Sequence, residues 1–61
     1  MPNITFEGPP ITDLNKKRAL VQLVTTAATE AYGLPAETIV VVMKENSPEN
    51  VAVGGVLISD R

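Results

Sequence analysis

The sequence predicts an α/β fold: a single β-α-β unit followed by a C-terminal hairpin. Three observations carry this expectation. Apolar and polar residues alternate in "NITFE" (3–7), helical spacing runs from Asp13 to Tyr32, and a β-branched apolar run, "TIVVVMK", covers 38–44. Strand, helix and strand in that order make one right-handed crossover. The whole chain, 1–61, reads as one domain, with no internal repeat, linker or low-complexity segment.

In the first element, Ile4 and Phe6 point one way and Asn3, Thr5 and Glu7 the other, as in a half-buried strand. "GPPIT" (8–12) ends it, because consecutive prolines can feed neither a ladder nor a helix interior. Thr12 is expected as the helix N-cap, with Asp13 in the first turn at the positive end of the dipole. Leu14, Val21, Val24, Ala28 and Ala31 then form an apolar stripe, widened by Leu20 and Ala27, with Leu23 toward its edge and Tyr32 at its end. Gly33 suits the left-handed residue past a helix end, and Pro35 prevents continuation.

The run 38–44 is apolar on both faces, which predicts a strand covered on both, by helices or by other subunits. A polar loop around Pro48 leads to two short apolar segments, 51–53 and 56–58. Gly54-Gly55 joins them as a hairpin turn. Phe6 and Tyr32, the sole aromatics, are expected in the core.

A chain of 61 residues is marginal alone, since a domain of about 60 residues buries only roughly 60% of its unfolded surface. It has no cysteine and no histidine, which removes disulfides and the common zinc ligand sets. Yet 44% of its residues are hydrophobic. Burial between subunits is the remaining route to stability, so a homo-oligomer is expected. A formal charge of −2 argues against a nucleic-acid partner. No apolar run reaches the roughly 20 residues of a membrane span, and no basic-then-apolar leader is present. A cytoplasmic protein without a membrane partner, cofactor or metal is expected.

One residue stands out chemically. If the initiator methionine is trimmed, Pro2 becomes the amino terminus and carries a secondary amine. At the head of a buried strand such an amine is desolvated, which lowers its pKa toward working pH. That suits a general base for proton abstraction beside a carbonyl. Proline is also tolerated there by N-terminal processing with no function at all. The rival bases are Glu7, Asp13, Glu30, Glu37, Glu45, Glu49 and Asp60, none of which pairs suggestively by spacing. Among the cations, Lys16 reads as solvated helix surface, while Lys17 and Arg18 border the apolar stripe. Lys44 and Arg61 are the others free to meet an anion.

Taken together, the proline-led strand, "EG" before a break, the Thr-Asp helix start, "GLP" at its end, the aliphatic strand and "VAVGGVL" resemble the 4-oxalocrotonate tautomerase family. The resemblance covers nearly the whole chain and looks closest to small relatives of an aromatic meta-cleavage pathway enzyme. It implies a β-α-β-hairpin protomer, a dimer with a four-stranded sheet, and a trimer of dimers. It implies that Pro2 is the base that moves a proton from the hydroxyl of a dienol such as 2-hydroxymuconate to carbon, giving the conjugated ketone. The substrate class is then a small dicarboxylate or enol acid. The family's arginine after "EG" is replaced by Pro9 and Pro10, its second-strand arginine by Val40, and its hairpin aromatic by Val51. Lys17, Arg18, Lys44 and Arg61 are the candidates to hold the substrate anion instead, with Val40 and Val51 shaping the pocket.

Two other readings compete. In one, the amine acts as a nucleophile or acid in a hydration, dehalogenation or decarboxylation. In the other, the chain is a hexameric scaffold that binds without catalysing.

Overall fold

A computed structural model describes all residues, Met1–Arg61. Strand β1 (Asn3–Gly8) leads through the proline break to helix α1 (Leu14–Tyr32), and a 3₁₀ turn (Ala36–Thr38) delivers strand β2 (Val40–Glu45). A second 3₁₀ turn (Pro48–Asn50) precedes the short strands β3 (Ala52–Val53) and β4 (Val56–Leu57), and a third (Ile58–Asp60) closes the chain. β1 and β2 pair in parallel, from Asn3 opposite Val40 to Gly8 opposite Glu45. β3 and β4 form a separate antiparallel ribbon. This is the β-α-β unit plus hairpin that the sequence predicts.

The register explains which face is covered. Ile4 lies beside Val41 and Phe6 beside Met43, and these four half-buried residues line the face under α1. On the other face Asn3, Thr5 and Glu7 stand beside Val40, Val42 and Lys44. Val42 is 44% exposed there, so β2 is covered by its own chain on one face only. A two-stranded sheet with one helix has only one side to offer it.

The N-cap differs by one residue from expectation, and the C-terminal glycine is the one expected. Asp13, not Thr12, is the N-cap: its carboxylate accepts the backbone N–H groups of Asn15 at 2.9 Å and Lys16 at 3.4 Å. Asp competes well for this position because an anion also meets the helix dipole. At the other end Gly33 adopts φ 66°, and its N–H donates to the Thr29 carbonyl at 2.9 Å. The expected strand start at Thr38 is instead the 3₁₀ turn, closed by Thr38 Oγ1 donating to the Pro35 carbonyl at 2.7 Å.

The stripe of α1 that packs on the sheet is Lys17, Leu20, Val21, Val24 and Ala28, which are half-buried or buried. Leu14, Ala27, Ala31 and Tyr32, expected in the stripe, are exposed, and Tyr32 stands 62% open to solvent rather than in the core. Leu23 is 71% exposed on a different side of the helix. An apolar arc wider than one sheet can cover must leave part of itself bare.

Only Ala28 is buried, and the exposed apolar residues include Val51, Val53, Val56 and Leu57 of the hairpin segment. The chain measures 43 × 24 × 13 Å, with a radius of gyration of 14.8 Å. A compact chain of this length would have a radius near about 10.5 Å. So thin a shape cannot enclose a core.

Candidate active site

Pro2 sits immediately before β1, half-buried, and its carbonyl accepts the Val40 N–H at 3.0 Å. That bond extends the β1–β2 ladder by one rung and holds the proline beside the first residue of β2. With Met1 attached, the Pro2 nitrogen is an amide without basic character. The Met1 residue is 84% exposed and so is accessible for removal. Once it is gone, the nitrogen is a secondary amine at the edge of an aliphatic sheet.

The remaining candidates are distributed unevenly. Val40 lies next to Pro2. Lys44 stands four residues further along β2, about 13 Å away at roughly 3.3 Å per residue. It is on the bare face, beside Glu7. Lys17, in the second turn of α1, reaches the same far end of the sheet, where its Nζ donates to Glu45 Oε1 at 2.7 Å in the chain's one salt bridge. Glu45 Oε2 also accepts the Ile11 N–H at 2.6 Å. Arg18 donates from Nη1 to Asn15 Oδ1 at 3.0 Å, one turn back on the helix. Val51 accepts the Ile58 N–H at 2.8 Å and closes the base of the hairpin, and Arg61 follows the last turn. A single chain therefore joins Pro2 to Val40 and keeps Lys17 and Lys44 at the opposite end of the sheet.

The clefts follow the same division. A cavity of about 260 Å³ lies at the far end, walled by Phe6, Pro9, Ile11, Leu20 and Met43. A smaller one of about 160 Å³ lies between Pro9, Pro48, Val51 and Ile58. Neither reaches Pro2.

The Lys17–Glu45–Ile11 clasp was not legible in the sequence. Glu45 holds its charge readily: the hydrogen bond from Lys17, and then the Ile11 N–H, place its carboxyl below the ordinary glutamate range. The contact joins residues 28 and 34 positions apart, and no local spacing signals it.

A proline-led β-α-β unit with a detached hairpin and a single buried residue, Ala28, defines a class of small α/β proteins that leave most of their apolar surface exposed within the chain. Comparison gives the family. The model of the tautomerase enzymes matches residues 2–61. A probable tautomerase of Bacillus cereus is 39% identical over 61 residues, all of both chains. The crystal structure of a 4-oxalocrotonate tautomerase homologue superposes with a TM-score of 0.90 at 33% identity, covering 100% of this chain and 97% of that one. A structure of DmpI from Archaeoglobus fulgidus gives 0.84 at 41% identity, covering 97% and 100%. The chain belongs to the tautomerase family, an isomerase class.

Proposed function

We propose that the chain, freed of Met1, is a keto–enol tautomerase with the Pro2 amine as general base and a 2-hydroxydienoate such as 2-hydroxymuconate as substrate. The amine takes the proton of the enol hydroxyl, the oxygen becomes the ketone, and the resulting ammonium returns the proton to carbon. Nothing is gained or lost overall. The observation that carries the reading is the position of Pro2, registered at the head of the sheet by the Val40 N–H at 3.0 Å. A base fixed by backbone bonding is oriented without depending on a flexible side chain.

The working unit in this reading is a cytoplasmic homohexamer built as a trimer of dimers. The bare sheet face around Val42, the outer side of α1 at Leu23 and the uncovered hairpin supply apolar surface for it. Neighbouring subunits then wall the pocket that a single chain leaves open at Pro2. Lys17, Arg18, Lys44 and Arg61 are the groups from which a neighbour supplies an anion contact, and Val51 lines the apolar side.

The test is the ketonisation rate of 2-hydroxymuconate, followed by ultraviolet absorbance, on protein whose mass shows Met1 absent, beside protein that keeps it. Turnover confined to the trimmed form supports the proposal; equal rates in both forms refute the role of Pro2. One observation favours a second reading, a non-catalytic hexameric scaffold: Lys17 and Lys44 stand away from Pro2. Absence of turnover with this and other carbonyl substrates in the trimmed form would favour that reading.

A further inference from the structure

Ionic groups are segregated along the sheet. Where Pro2 stands, the strands begin with Asn3 and Val40, and half-buried Ile39 precedes the latter. The chain path brings two charged side chains to that end, Glu30 in the last turns of α1 and Glu37 in the following 3₁₀ turn, and both are acidic. Lys16, Lys17 and Arg18 begin α1 at the opposite end, and Lys44 lies there near the end of β2. Lys17 is already neutralised by Glu45 at 2.7 Å. A ligand at Pro2 thus meets branched aliphatic side chains and no cation from this part of its own chain.

We propose that the substrate taken at Pro2 carries a single carboxylate and an apolar far end, which rests against Val40. This rests on the tautomerase reading and narrows it to one substrate class. Removing a carboxylate from water without a partner cation is heavily penalised, whereas an alkyl terminus gains from contact with the Val40 side chain. One carboxylate needs one cation, which a neighbouring subunit's Arg61 or free lysine can supply. A dicarboxylate needs two such contacts, and the Pro2 end of the sheet, with Glu30 and Glu37 as its charged groups, supplies neither.

The experiment compares two substrates of nearly equal shape on Met1-free protein. 2-Hydroxymuconate has a carboxylate where 2-hydroxyhexa-2,4-dienoate has a methyl group. The expected result is a kcat/KM at least about tenfold higher for the methyl compound, within the range that an unsatisfied buried polar group costs. In parallel, calorimetry compares the inert dienes sorbate and trans,trans-muconate, and sorbate is expected to bind more tightly by a similar factor. Equal or better use and binding of the dicarboxylates overturns the inference and leaves the tautomerase reading intact. Tighter sorbate binding without turnover of either hydroxydienoate supports the ligand class and overturns the tautomerase reading. Failure of both binding and turnover overturns both.

Discussion

The Lys17 ammonium and the Glu45 carboxylate, 28 positions apart, meet at 2.7 Å and tie the start of α1 to the end of β2. The other Glu45 oxygen holds the Ile11 N–H, so the same group pins the loop that follows the double proline. Both side chains remain partly wet, at 28% and 29% exposure, and the pair is a modest stabiliser.

Its pH dependence has a definite sign. The folded-state carboxyl titrates below its unfolded value, chiefly because Lys17 hydrogen-bonds it. The stability it adds is present above the unfolded pKa and is lost as pH falls through the folded one. Urea midpoints measured from neutral pH to about pH 3 should fall on the acid side, starting near the ordinary glutamate range. Glu45→Gln should lower the midpoint slightly at neutral pH and flatten that acid limb. An unchanged acid limb in the variant would assign the acid sensitivity to other carboxylates.

Asp13→Ala should destabilise the fold by about 1 kcal/mol, the usual cost of removing an N-cap oxygen. Two backbone donors, at Asn15 and Lys16, lose their acceptor. Thr12→Ala should change little, because the cap lies one residue later. Thermal unfolding of the two variants side by side checks both statements.

The hairpin turn requires glycine for conformational reasons. Gly54 and Gly55 have φ of 61° and 82°, and a Cβ on either would meet nothing within 4 Å. The cost of Gly55→Ala is therefore backbone strain, about 1–2 kcal/mol. Gly55→Asn should cost less, since Asn tolerates the left-handed region better. Amide exchange of β3 and β4 would show faster opening in the alanine variant and a smaller change in the asparagine one.

Pro2→Ala, with Met1 removed, should reduce turnover of a 2-hydroxydienoate by about 10²–10⁴, the span attributed to a positioned general base. The carbonyl of residue 2 still accepts the Val40 N–H in this variant, so far-ultraviolet circular dichroism should not change. Full activity in the alanine protein would remove Pro2 from the mechanism.

Assembly makes its own prediction. A chain of 6.5 kDa whose sole buried residue is Ala28 should sediment well above its own mass and unfold with a concentration-dependent midpoint. Val42→Lys, on the bare sheet face, should shift sedimentation toward smaller species.

Much of this protein was written in local pattern. Alternation placed β1, the helical repeat placed α1, and Gly33 with its φ of 66° stopped it where a left-handed residue was expected. The Gly54-Gly55 turn and the proline at the head of the first strand were equally legible, because each depends on the backbone preferences of a few adjacent residues. Position along the chain also made Pro2 the candidate base.

Tertiary structure decided the rest. It moved the cap from Thr12 to Asp13, left Tyr32 and Val42 exposed, and chose which side of an over-wide apolar arc on α1 meets the sheet. It committed Lys17 to Glu45 and separated Lys44 from Pro2 by most of the length of β2. These outcomes depend on which residues a parallel register sets side by side and on how much surface one thin sheet can cover. Sequence periodicity marks a residue as apolar or charged, but the register determines what it touches.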